Sequence, residues 1–182
     1  MSITPNVPTN YSLDVAFSST TRSLPGKSHQ PILAMGYGFS EQAPGGSWGE
    51  EGQGVLSVKA GSPFFFTAFD TAPGNGQTVT TFEVDFPDNN NPFVDQNNNP
   101  IGTPGSIVAT GSSIHSQNGQ SAGCNVVGLY SMLGPYYVKT LAEVTIIECT
   151  VKVTLRNGQI FQVDPEIQVE GPGIDPESSY AA

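Results

Sequence analysis

The sequence predicts an all-β fold, an antiparallel β-sandwich or jelly-roll-like single domain. Three observations lead there. The chain carries 21 glycines and 15 prolines, together 36 of 182 residues, more helix breakers than a packed helical protein holds. Several short runs alternate apolar and polar residues with a period of two, the pattern of a half-buried strand. Clusters of Gly, Pro, Asn, Asp and Ser interrupt these runs about every 8–15 residues, the rhythm of a sandwich. The length suits one domain, with enough chain to bury a real core.

Residues 1–10 are rich in Pro, Asn and Thr and read as an extended arm. The domain proper spans 11–169. Tyr11, Leu13, Val15 and Phe17 alternate with Ser12, Asp14 and Ala16, which predicts a strand with one apolar face. Residues 18–31 read as a polar loop. Residues 32–39 form a second strand, in which Gly36 and Gly38 flank Tyr37 and leave one face nearly bare. Residues 40–54 read as a Gly-rich loop around Trp48, the single tryptophan. Two strands follow, 55–58 and 64–69, broken at Gly61–Pro63. Phe64, Phe65 and Phe66 in succession face both sides of a sheet. They suit an inner strand or a surface for a partner.

After a turn cluster at 70–77, Phe82, Val84 and Phe86 alternate with Glu83 and Asp85. Residues 87–105 read as a long polar connection. Within it, Asp88-Asn89-Asn90-Asn91-Pro92-Phe93-Val94 is echoed by Asp95-Gln96-Asn97-Asn98-Asn99-Pro100-Ile101. Asn and Asp tolerate left-handed backbone angles, so the echo predicts two tight turns bounding a short edge strand. Weaker strands lie at 106–115 and 125–130. Residues 135–143 fit two helical turns from Pro135 or a strand, with the strand preferred. The clearest strand is 144–155. Asn157-Gly158 then turns the chain, and 160–169 returns. A three-residue loop with Gly158 left-handed pairs Val153 with Phe161 and Val151 with Val163. A two-residue turn would instead mix apolar with polar partners, so the longer loop is the expected one. Residues 170–182 have little to bury and read as a mobile or partner-bound tail.

Charge narrows the function. Sixteen acidic residues face six basic ones, a net charge of −10. Scattered Lys and Arg make no basic patch, which argues against nucleic acid and anionic membrane surfaces. No apolar run approaches the ~18 residues that span a bilayer. The first residues lack the basic start and apolar run of a secretory signal, so a cytoplasmic location is expected. Cys124 and Cys149 read as buried thiols, with a disulfide possible but not required.

Candidate sites are few. Asp85, Asp88 and Asp95 offer hard oxygens for calcium, although Pro92 takes a ligand position of the usual loop. Trp48, with Glu50 and Glu51 beside it, could stack on a sugar face and bind its hydroxyls. Tyr37 and Asn118 join that site only if their loops share one end of the sandwich. Catalysis has little support. His29 and His115 lie in polar segments, and Ser113-Ile114-His115-Ser116 is no nucleophile elbow. Glu143 and Glu148 could pair as glycosidase carboxylates, but they fit a solvated face better. Asp164-Pro165 marks an edge or a new strand pairing, because proline cannot donate to a ladder. There Asp164 is expected to bond the amide two residues on.

Two stretches carry a family resemblance. Gly54-Val55-Leu56-Ser57-Val58-Lys59-Ala60-Gly61-Ser62 precedes an apolar strand. Phe161-Gln162-Val163-Asp164-Pro165-Glu166-Ile167-Gln168-Val169 closes the domain. With the short N-terminal strand before a Gly-rich segment, the order resembles the AidA/PixA-type bacterial inclusion-body proteins. The first strand lacks that family's Asp-Thr ending, and Val163 stands where it has an aromatic. The resemblance implies a cytoplasmic β-sandwich, often dimeric, without enzymatic activity. The expected function is therefore a non-enzymatic, self-associating protein. Its contacts are expected at the tail and the Phe64–Phe69 strand. The alternative is a lectin-like carbohydrate-binding module centred on Trp48.

Overall fold

A computed structural model describes residues 9–20, 32–43, 46, 48–52, 54–72, 78–120 and 127–171. The fold is all-β and sandwich-like. Among the described residues the helical content is one 3-10 turn, Gly111–Ser113.

The largest sheet has seven strands. At its centre β1 (Asn10–Phe17) buries Leu13 and Val15 on its apolar face, as the alternation requires. It pairs antiparallel with β3 (Gly36–Gln42) and parallel with β6 (Pro63–Asp70). Beyond β3 lies β4 (Trp48–Gly52) as one edge. Beyond β6 lie β11 (Val127–Val138) and then β10 (His115–Gln120) as the other edge. Two smaller sheets accompany it among the described residues. One contains β2 (Leu33–Ala34), β14 (Ile160–Val163), β13 (Thr150–Leu155), β7 (Val79–Asp85) and β9 (Ser106–Thr110), in that order. The other orders β12 (Thr145–Glu148), β15 (Glu166–Val169) and β5 (Leu56–Val58).

One apolar cluster joins all three sheets. Leu13, Phe39 and Phe66 come from the large sheet, Phe82, Val151 and Phe161 from the five-stranded one, and Ile147, Val58 and Val169 from the third. Phe17 of β1 meets Phe161 of β14 at a ring-centroid distance of 5.0 Å. The short strand β8 (Phe93–Val94), paired to β11, drives Phe93 between Phe64 and Phe66 at 5.1 and 5.2 Å.

Several expectations change. The sheets are mixed rather than purely antiparallel, because β1–β6, β14–β2 and β15–β5 are parallel. Such pairings join segments distant in sequence and leave no local turn signal. The Gly-rich 40–54 stretch contains β4, held by pairing with β3. The single strand expected at 144–155 is two strands in different sheets, parted at Cys149. Its return is parted at Asp164-Pro165. Ribbons that change sheets by bending are a regular way of turning a sandwich corner. Around Pro135 the strand reading holds, and β11 runs on to Val138. It contains a cis Gly134–Pro135 bond and a register shift between Leu133 and Tyr136. Gly134 has φ +106, and a Cβ there would lie 2.7 Å from the Phe64 carbonyl oxygen.

The hairpin register agrees with expectation: Val153 pairs with Phe161 and Val151 with Val163. Gly158 has φ 87 and donates its N–H to Leu155 O at 2.9 Å. The Asn echo behaves likewise. Asn89 and Asn98 have φ 53 and 66, and the segment between them holds β8.

In the Phe64–Phe69 strand, expected to be a contact between copies, Phe65 is the half-buried aromatic. Both edges of β6 are paired, and Phe64, Phe66 and Phe69 are buried. The 1–10 arm lies outside the described residues apart from its last two, and the tail apart from its first two.

Candidate functional site

The residues proposed for sugar binding are not gathered by the strands. Trp48, Glu50 and Glu51 lie on β4, where Trp48 is in register with Gln42. Tyr37 sits five positions along β3 from Gln42, about 17 Å away at the rise of an extended strand. Its ring packs edge-on against Phe39 at 5.9 Å. Asn118 is on β10, at the opposite edge of the sheet from β4.

The calcium candidates are also separated in role. Asp85 forms an ion pair with Lys152 at 2.6 Å. Asp95 closes its own turn, accepting from the Asn97 and Asn99 N–H groups at 2.8 and 2.9 Å and from Asn99 Nδ2 at 2.9 Å. The Asn99 side chain and these amides hold its carboxyl below the usual aspartate range. Asp88 lies in an exposed turn. Among the described residues no group of three or more His, Cys, Asp or Glu is arranged to hold a metal. The residue that staples this loop is Asn91, which the sequence did not single out. It is buried, donates to Ile101 O and Thr103 O at 2.7 and 2.9 Å, and accepts from Phe93 N–H at 3.0 Å.

A second polar cluster was invisible in the sequence. Asp14 accepts hydroxyl hydrogen bonds from Ser12 at 2.7 Å, from Ser40 at 2.5 Å and from Thr67. All three donors are buried. They come from three adjacent strands, and the match is set by register: Asp14 is opposite Thr67, and Ser12 opposite Ser40. Charge-assisted bonds of this kind tie the centre of the sheet together.

A cleft of about 440 Å³ lies at the ribbon's bend, lined by Pro87, Glu148, Cys149, Gln162, Asp164 and Glu166 among others. Its origin is the sheet change. Where β12 parts from β13 and β15 from β14, the two strand pairs diverge. Cys149 fills the floor and is 2% exposed. Burial, reinforced by the Asp164 charge, pushes its thiol up to about 12. At neutral pH it is a protonated thiol leaning on Pro165 O at 3.6 Å, and so a poor nucleophile. Cys124 lies outside the described residues. Asp164 accepts from Thr150 Oγ1 at 2.7 Å across the ribbon, instead of capping its own turn as expected. Glu148 and Glu166 are exposed and directly opposed in register. Nearby, burial and the Asp85 charge raise the Glu83 carboxyl, while the Asp85 hydrogen bond raises Lys152. Glu143 lies at an exposed bend before β12. His115 begins β10, and His29 is outside the described residues.

Comparison with protein-family models and with curated proteins gives no match to this chain. No helix among the described residues is long and apolar enough to cross a membrane.

Chemically, the cleft can offer carboxylates and amide or hydroxyl groups to a cation. The sequence had singled out Glu148, Cys149 and Asp164-Pro165 one by one. Their convergence depends on the bend and carried no local signal.

Proposed function

We propose that this chain is a non-enzymatic β-sandwich that associates with copies of itself, a role resembling that of the AidA/PixA-type inclusion-body proteins. The observation that supports this reading is strand β9. Among the described residues it is an edge of the five-stranded sheet, with the sequence Ser-Ile-Val-Ala-Thr and no charge. Edges of natural sheets are usually guarded by Lys, Pro or a bulge against pairing with another chain. Here Thr103 closes the Ser106 end, donating its N–H to Ser106 O at 2.8 Å. Ile107 and Ala109 face inward and are buried, while Val108 is 55% exposed. Phe86 N–H bonds Gly105 O, so the antiparallel alternation turns the main-chain groups of Val108 and Thr110 away from β7. Two copies can pair there through a twofold axis at Val108, by the two main-chain bonds between the Val108 residues alone, because Ser106, opposite Thr110 of the other copy, is already closed by Thr103. No like charges are then opposed within the paired strands, despite the molecule's charge of −10.

Sedimentation mass against concentration tests this. The native chain is expected to be at least dimeric at micromolar concentration, and Val108→Lys monomeric with unchanged circular dichroism. A native chain that stays monomeric overturns the reading, and an oligomer untouched by Val108→Lys removes β9 as its contact.

Carbohydrate binding is the second reading. It rests on β4 alone, where Trp48, Glu50 and Glu51 share an edge strand. A glycan array with native and Trp48→Ala protein reads it directly.

A further inference from the structure

Along the ribbon, one side of the 144–155 segment is paired throughout to the returning chain. The other side is filled only in part. Strand β7 runs beside β13 as far as Asp85, opposite Thr150. The strand ends there: Phe86 still follows β9, its N–H bonding Gly105 O at 2.8 Å, and Pro87, next in line opposite Glu148, has no N–H to donate and lines the cleft. The pairing of β7 is thus not continued alongside β12. Among the described residues no strand pairs with β12 there.

What β12 presents on that side follows from its pairing. Cys149 N–H bonds Pro165 O at 3.1 Å, and Ile147 is in register with Ile167. Antiparallel bonding alternates, so the main-chain groups of Ile146 and Glu148 point to the open side. Their side chains lie on the solvent face. Ile146 is 55% exposed and its neighbour Val144 is 59% exposed. Two exposed aliphatic side chains beside amide and carbonyl groups that no described strand pairs are the elements of strand addition, in which an extended peptide extends a sheet.

Charge selects the occupant. The open edge runs into the acidic cleft, where Glu148, Asp164 and Glu166 stand together. Glu148 and Glu166 are directly opposed, an arrangement that like charges disfavour. The nearby cation, Lys152, is committed to Asp85. A second copy of this chain would bring its own Glu143 and Glu148 to the same edge and add repulsion. A cationic strand would relieve it.

We propose that the open edge of β12 is a docking site for an extended cationic segment of a partner protein, one that carries apolar side chains and lysine or arginine on the same strand face. Its main chain bonds Ile146 and Glu148, its apolar side chains cover Val144 and Ile146, and a cationic side chain enters the cleft among Glu148, Asp164 and Glu166. The site is separate from β9, so it stands whether or not the chain self-associates.

The test is fluorescence anisotropy with a labelled Lys-Val peptide, Lys-Thr-Val-Thr-Val-Thr-Lys, whose lysines and valines share one strand face. It is run on the native chain and on the Val108→Lys variant, so that self-association cannot mask the result. The peptide is expected to bind both, with affinity falling at least about tenfold between about 0.05 and about 0.5 M salt as charges are screened. A Glu-Val peptide is expected not to bind. A Lys-Val peptide N-methylated along both edges should lose about tenfold, because neither edge can then donate to the ladder. Glu148→Gln should weaken binding several-fold, and Ile146→Lys should abolish it. Both positions are exposed, and circular dichroism confirms that the variants fold. Absence of Lys-Val binding overturns the proposal. So does equal binding of the N-methylated peptide, which would mean charge attraction without strand addition, or binding unchanged by Ile146→Lys.

Discussion

Gly158 illustrates how much one residue can carry. Its φ of 87 lies in the left-handed region, where an added Cβ is strained. Gly158→Ala should cost about 1 kcal/mol or more of unfolding free energy, and Gly158→Asn less. Urea denaturation of the two variants checks this, and equal tolerance would mean that the loop adjusts. Cys149 carries a pH signature. The folded protein holds the thiol proton up to about 12, whereas an ordinary thiol releases it near 9.0. The proton is bound more tightly in the folded state. The contribution to stability is therefore full below about pH 9 and is lost as pH rises towards 12. Thermal melts across that window should show a shallower alkaline decline for Cys149→Ala than for the native chain. Parallel declines would show that the thiol is not the group responsible.

Single elements owe their existence to different neighbours. Strand β8 is two residues long and could not persist alone. Phe93 holds it, packed among Phe64, Phe66, Phe86 and Tyr136 at ring-centroid distances of 5.1 to 6.3 Å. Phe93→Ala empties the centre of that cluster and should cost about 3–5 kcal/mol. Phe93→Leu should cost distinctly less, because it keeps most of the volume. Equilibrium unfolding of the two compares them, and similar losses would mean that ring packing, not volume, is what β8 supplies. The ribbon of β12 to β15 is one hairpin by sequence and two strand pairs by structure. Proline at 165 cannot donate to a ladder, so a break there costs no hydrogen bond that the chain could otherwise form. Pro165 O instead accepts from Cys149 N–H, which closes the joint.

On the scale of the whole molecule, charge governs behaviour between copies. Sixteen carboxylates against six bases keep molecules apart at neutral pH. As pH falls towards the sequence pI of about 4.3, that repulsion disappears. With charged residues at only 12% of the chain, little else opposes contact. Reversible association or precipitation is expected between about pH 4 and 5, where net charge nears zero. Light scattering against pH, with circular dichroism in parallel, checks it. Clear solutions at high concentration through that window would contradict the expectation, and unfolding before scattering would point to another cause.

The sequence by itself determined the all-β class, the strand positions of β1, β6 and β7, the Asn-rich turns and the register of the 150–163 hairpin. Each rests on residues within about a dozen positions of one another, where period-two alternation and turn chemistry act directly. Tertiary structure alone decided the parallel pairings, the presence of β4 and the division of one ribbon between two sheets. It also placed the hydroxyls of Ser40 and Thr67 on Asp14, from 26 and 53 residues away. The candidate site was legible only in pieces. Glu148, Cys149, Asp164 and Pro165 could each be noticed, but the cleft and the strand edge beside it arise only where β7 leaves the ribbon after Asp85. That departure depends on which strands pair at long range, and no local pattern encodes it.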